Sequence, residues 1–197
     1  MLSISNSVTA GDPGDDLAER ILRAAEVCVE DLGIDRVTIA EIARRARVSR
    51  PTVYRRWPDV HAILAATVAR RVMAILRDIP RGEVERTAIV DRSVAAVTRL
   101  RHDPLVEAGL RSKPAMSMRY VADRLGAGQL VLIEMLSGDL KEAQSRGSVR
   151  AGDCRQMAAM MMLMAQAAVQ SAGMVAPILD EAQLDAELAR AMNRYLS

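Results

Sequence analysis

Six arginines, Arg44, Arg45, Arg47, Arg50, Arg55 and Arg56, fall between Ala43 and Pro58 with no acidic residue among them. Guanidinium groups at this density suit the neutralisation of nucleic-acid phosphates, which releases condensed counterions. A merely solvated helix face would carry interspersed carboxylates. Here those carboxylates, Glu26, Glu30, Asp31, Asp35 and Asp59, stand outside the run in sequence. A net charge of +2 over 197 residues conceals this local concentration. Other chemistries find little support. His61 and His102 are the only histidines, and neither sits in a catalytic constellation. Cys28 and Cys154 lack zinc-site spacing and suit a reducing cytosol as small hydrophobes. Leu125-Gly126-Ala127-Gly128 has no third glycine and no preceding strand, which argues against a dinucleotide site. No catalytic residue, metal ligand or cofactor is expected, and the chain does not read as an enzyme.

The elements around the arginines decide which of them face outward. Leu17, Ile21, Ala24, Ala25, Cys28 and Leu32 recur at helical spacing. Asp15 or Asp16 is expected to cap this first helix and Gly33 to end it. Thr38 and Glu41 have the form of a capping box, in which each side chain bonds the other's backbone N–H. The second helix buries Ile39, Ile42, Ala43 and Ala46 and runs to about Ala46. Ser49 caps a third, where Pro51 in the first turn lacks only an N–H that has no helical acceptor. Val53 and Trp57 share its inward face, and Pro58 ends it. Asp59 then caps a fourth helix over Val60, Ile63, Leu64, Val68, Val72 and Ile75. A short turn between the second and third helices makes a helix-turn-helix unit, at about 38–57.

With Val53 and Trp57 inward, Arg50, Pro51, Thr52, Arg55 and Arg56 are left to point outward or toward the flanks. Residues at the start of such a helix reach base edges while others hold phosphates. Arg50 is the candidate for a bidentate contact to guanine, and Thr52 for a thymine methyl or a base acceptor. Tyr54 would set its hydroxyl on a phosphate. Thr38 would offer a hydroxyl and helix-end N–H groups to another. The expected DNA-binding set is therefore Thr38, Arg47, Ser49, Arg50, Pro51, Thr52, Tyr54, Arg55 and Arg56.

These residues carry a resemblance. Thr38-Ile39-Ala40-Glu41-Ile42-Ala43, then Val48-Ser49, then Thr52-Val53-Tyr54-Arg55-Arg56-Trp57-Pro58 is similar to the signature of the tetracycline-repressor (TetR) family of bacterial transcription regulators. That signature runs T-hydrophobic-x-x-I-A, then G-V-S-x-x-T-hydrophobic-Y-x-H/Y-F, and the match covers about Leu17 to Val68. Arg47 stands where the pattern has a turn glycine, and Trp57 stands for Phe. Val60 stands where the family often has a phosphate-binding Lys, a contact that Arg47 or Arg56 would replace. The resemblance implies an all-α chain: a three-helix helix-turn-helix domain, then a helical domain that binds an effector and dimerises. The last two long helices would pair as a four-helix bundle between subunits.

The rest of the sequence agrees. Half the residues are apolar, yet aromatics make up only 2% and Phe is absent, a composition that favours helices over sheets. Lys113 and Lys141 are the only lysines, a bias that more often reflects a GC-rich coding genome than a function. The expected divisions are a flexible tail over 1–16, the DNA-binding domain over 17–65 and the helical domain over 66–197. Breaks are expected at Pro80-Arg81-Gly82, Asp103-Pro104, Ser112-Lys113-Pro114, 147–152 and 173–177. Met157, Met160, Met161, Met164 and Ala168 form one apolar stripe, and Leu179, Leu184, Leu188, Met192 and Leu196 another. Met repacks readily around apolar ligands, so Met116, Tyr120, Met135, Met162 and Gln166 are candidates for a small apolar effector. The N-terminus lacks the pattern of a signal peptide. The apolar run over 157–169 is too short to span a bilayer, so a cytoplasmic location and no membrane partner are expected. The functional expectation is a homodimeric, ligand-responsive repressor on a near-palindromic DNA operator. The alternative is a helical small-molecule binding or sequestering protein without operator function, which would have no need of the arginine run.

Overall fold

The computed structural model describes residues 13–111 and 127–197. These residues are helical and contain no strand, and the chain divides into two compact units between Thr67 and Val68.

The first unit begins with α1, Pro13–Leu32. It starts ahead of the expected cap, so Asp15 and Asp16 lie in the first turn instead of preceding it; Pro13 suits the first helical position. Ile21, Ala24, Ala25, Cys28 and Val29 are buried, the i, i+3, i+4, i+7, i+8 pattern of one inward face. Leu32, expected on that face, is exposed. Gly33 ends the helix at φ 77°, with its N–H on Val29 O at 3.0 Å. A single 3₁₀ turn, Ile34–Arg36, leads to α2, Ile39–Ala46, and then α3, Arg50–Tyr54. Helix α2 packs on α1 and on α3 through Ile39, Ile42, Ala43 and Ala46. Burying Ile42 and Val53 completely contributes about 1.5–3 kcal/mol each against exposure. Helix α4, Val60–Arg77, is capped by Asp59, whose Oδ1 accepts from the Ala62 N–H at 2.8 Å. It buries Ile63, Leu64 and Thr67.

The second unit continues α4 and adds α5 (Arg86–Arg101), α6 (Pro104–Arg111), α7 (Ala127–Ser145), α8 (Cys154–Gln170), the short α9 (Ala172–Val175) and α10 (Glu181–Leu196). Its core is drawn from α5, α7, α8 and α10, with Val90, Leu140, Ala143, Ala158, Met192 and Leu196 at zero exposure. Three aspartates start helices here. Asp103 Oδ1 accepts from the N–H groups of Leu105 and Val106, both at 3.1 Å. Asp153 caps α8, and Asp180 forms a complete capping box with Gln183. The buried Asp139 on α7 is satisfied by Arg81 and Arg92. That pairing matters, because an unpaired buried carboxylate would be costly.

The two expected apolar stripes meet different fates. On α8, Met157, Met161 and Ala168 enter the core, while Met160 is exposed and Met164 is half-buried. Of the second stripe, Leu188, Met192 and Leu196 on α10 enter the same core, while Leu184 and, ahead of the helix, Leu179 are half-buried. The breaks at 80–82, 103–104, 147–152 and 173–177 fall at helix ends or loops; the one at Ser112-Lys113-Pro114 lies outside the described residues. Among those residues no helix is long and apolar enough to cross a membrane. Nor is any group of three or more His, Cys, Asp or Glu placed to hold a metal ion.

Candidate nucleic-acid interface

The turn between α2 and α3 is closed by its backbone. Val48 N–H donates to Ala43 O at 3.0 Å and Arg47 N–H to Arg44 O at 3.2 Å, the paired 6→1 and 5→2 bonds of a Schellman motif. Arg47 occupies its left-handed position, φ 54° and ψ 47°. Among the described residues it is the one non-glycine with positive φ, and a side chain there costs roughly 1–2 kcal/mol.

Both N-caps are made as expected, with one difference. Thr38 Oγ1 accepts from Glu41 N–H at 3.2 Å, and Ser49 Oγ from Thr52 N–H at 3.3 Å. The Glu41 side chain does not complete a capping box. Its carboxylate instead accepts from Arg44 Nε (3.0 Å) and Nη2 (2.6 Å) and from Arg45 Nε (2.8 Å). Charge-assisted bonds from two guanidiniums are stronger than one from a neutral N–H. The hydrogen bonds from Arg44, then Arg45, hold the Glu41 carboxyl down at about 2.

The arginine run is therefore acid-free in sequence but not in space. Arg45 also reaches Asp31 at 2.5 Å and is half-buried, so it braces α2 against α1. Beneath it, burial raises the pKa of the Cys28 thiol. Arg47, Arg50, Arg55 and Arg56 are exposed, with Ser49, Pro51 and Tyr54 among them. Thr52 is half-buried and tied in, its Oγ1 2.8 Å from Ser49 Oγ and 3.5 Å from Arg55 Nη2. Helix α3 proper ends at Tyr54, short of the expected Trp57. The N–H groups of Arg56 and Trp57 still reach Val53 O, at 3.0 and 3.1 Å, so Arg55 and Arg56 remain ordered by the same turn. Val53 is fully buried and Trp57 half-buried, which fixes the opposite side as the outer one. Thr38 is exposed at the start of α2. Val60 is half-buried at the start of α4 and offers no charge there.

Sequence reasoning missed Arg20 on α1, which donates from Nη2 to Ala46 O at 2.9 Å and so caps the far end of α2. Its partner is 26 residues away, and no local pattern marks the pair. Of the effector candidates, Met116 and Tyr120 lie outside the described residues. Met135 is exposed on α7. Met162 is half-buried on α8, and Gln166 accepts from Gln129 Nε2 at 3.1 Å.

Comparisons with known proteins bear on this geometry. The sequence profile of the bacterial regulatory proteins, tetR family, matches residues 21–67. An uncharacterized HTH-type transcriptional regulator of Mycobacterium bovis is 49% identical over 196 residues, covering all of both chains. Among solved structures, the R. erythropolis transcriptional repressor QsdR, from the TetR family, superposes with a TM-score of 0.71 at 14% identity, over 93% of this chain and 96% of that one. RolR in complex with resorcinol gives 0.68 at 19% identity, over 93% and 88%. At such identities the structures speak for the fold, and the full-length relative and the profile speak for the lineage. A helix-turn-helix with an exposed arginine face, matched by profile and by full-length kinship, places the chain in the TetR family of bacterial regulatory proteins, as an HTH-type transcriptional regulator and not an enzyme.

Proposed function

We propose that the chain is a ligand-responsive repressor that binds a near-palindromic operator as a homodimer. The observation that carries this is the outer face of 47–56. Arg50 stands exposed at the start of a capped helix, flanked by Arg47, Arg55 and Arg56, while Arg44 and Arg45 are held back by carboxylates. In this reading Arg50 takes a guanine edge bidentately and Thr52 meets a base through its methyl. Ser49 and Pro51 line the same groove. Thr38, Tyr54, Arg47, Arg55 and Arg56 hold phosphates, which fix register without reading sequence.

The outer face of α8 supports dimerisation. Gln156, Met160, Leu163, Ala167 and Gln170 alternate by four and three residues and are all exposed, with Met160 at 43% and Leu163 at 53%. That spacing is the seam of one helix on another. A second copy would cover it and hold two reading heads about one helical turn apart. Effector control is supported by the neighbour RolR, whose structure contains resorcinol, and by the polar Gln129–Gln166 pair joining α7 to α8. Met135 on α7 and Met162 and Gln166 on α8, together with Met116 and Tyr120 outside the described residues, are the candidate effector residues. An effector favouring a non-binding arrangement lowers operator affinity, and operator lowers effector affinity equally.

The test is recovery of genomic fragments bound by the protein. The expected result is an inverted repeat whose complex weakens steeply with salt. Recovery of no enriched DNA overturns the reading.

A further inference from the structure

We propose that the groove between α1 and the C-terminal end of α2 is a second phosphate-binding surface, one that takes DNA backbone outside the segment that reads bases. This rests on the DNA-binding reading above and adds α1 to it.

The groove is open, about 710 Å³, and lined by Arg20, Arg23, Arg44, Arg45 and Arg47 over a floor of small apolar residues, with no acidic side chain in its lining. Three of the five guanidiniums are balanced at its rim: Arg23 by Glu19, Arg44 by Glu41, and Arg45 by Glu41 and Asp31. Arg20 and Arg47 have no carboxylate among the described residues. Arg20 spends one N–H on Ala46 O, which fixes the guanidinium over the end of α2 and leaves its charge uncompensated. The groove thus keeps an excess of positive charge on a surface that can admit a sugar-phosphate unit.

A second and independent observation is the backbone of Arg47. At φ 54° glycine would sit without strain, yet the chain places its longest cation there. Sparsely populated backbone conformations persist where the surrounding structure over-determines them, and they cluster at functional sites. Arg47 is two residues before Ser49, the cap of α3, so the groove opens directly beside the reading segment. Charge complementarity and this continuity with Arg50 favour the DNA backbone as occupant. Guanidinium groups suit it, because their planar fork matches phosphate oxygens.

The test is fluorescence anisotropy with a mixed-sequence DNA duplex across a salt series, for the full chain and for Arg20→Gln, Arg23→Gln and Arg47→Gly, each with a thermal melt. Arg47→Gly should melt at or above the wild-type temperature, since it relieves the backbone, so weaker binding by that variant is not loss of fold. Each variant should lower the slope of log K against log salt by about 0.9 per contact removed. Mixed and selected sequences should weaken by the same factor, with base preference unchanged. Wild-type binding with Arg20→Gln and Arg23→Gln both unchanged in slope and affinity overturns the groove while leaving the DNA-binding reading intact. A wild type that binds no duplex overturns that reading and the groove together.

Discussion

Glu41 divides its hydrogen bonds between a helix cap and two arginines. Its spacing from Thr38 matches a capping box, and half of that box forms: the backbone N–H reaches Thr38 Oγ1. The carboxylate turns instead to Arg44 and Arg45, one turn further on, because two cations are stronger partners than a single amide. Its pKa, about 2 against an ordinary 4.5, has a consequence for stability. A depressed carboxylate contributes stability above the ordinary value, and that contribution is lost as pH falls toward about 2, since the unfolded chain takes up the proton first. Acid unfolding of wild type and Glu41→Gln, followed by circular dichroism, should therefore diverge above pH 4.5 and converge toward pH 2. Parallel curves would mean that the pairing contributes nothing. At this scale the exposed arginines of 47–56 were legible, and the carboxylates that hold Arg44 and Arg45 were not. Nothing local links Arg45 to Asp31, 14 residues away.

Helices were legible where caps and periodicity agree. Thr38, Ser49 and Asp59 cap the helices expected of them, and Gly33 ends α1 at positive φ. Periodicity could not say which apolar stripe meets its own subunit and which a partner. Helix α8 carries one buried and one exposed apolar face: Met161 lies in the core, and Leu163, two residues on, is half exposed. A helix apolar on two faces gives an ambiguous pattern, and only the placement of α5, α7 and α10 resolves it. The two faces should separate experimentally. Met161→Ala should cost about 2–5 kcal/mol in a chemical-denaturation experiment, as a core truncation does. Leu163→Asp should keep the melting transition of the subunit but shift the protein from dimer to monomer in sedimentation. A Leu163→Asp protein that remains dimeric would place the partner surface elsewhere. The second stripe is ambiguous for the same reason: Leu188, Met192 and Leu196 close the core, while Leu179 and Leu184 are half-buried.

Over the whole molecule, the two units differ in how much the sequence discloses. The unit ending at Thr67 is built from short-range signals: caps, a Schellman turn, a first-turn proline and an arginine run. The unit from Val68 onward depends on contacts between distant helices, such as Asp139 with Arg81 and Arg92, or Thr98 and Arg101 with Asp185. Those pairs leave no periodic trace. In the proposed function, effector recognition would draw on the second kind of contact and DNA recognition on the first. In that proposed function Arg50 reads a base while its neighbours hold backbone. Its most direct test compares the sequences selected from a random duplex pool by wild type, Arg50→Ala and Tyr54→Phe. Arg50→Ala should lose roughly 1–3 kcal/mol and relax preference at one position in each half-site, whereas Tyr54→Phe should weaken all sequences alike and leave the preference intact. If both variants weaken every sequence equally and select the wild-type site, Arg50 does not read a base.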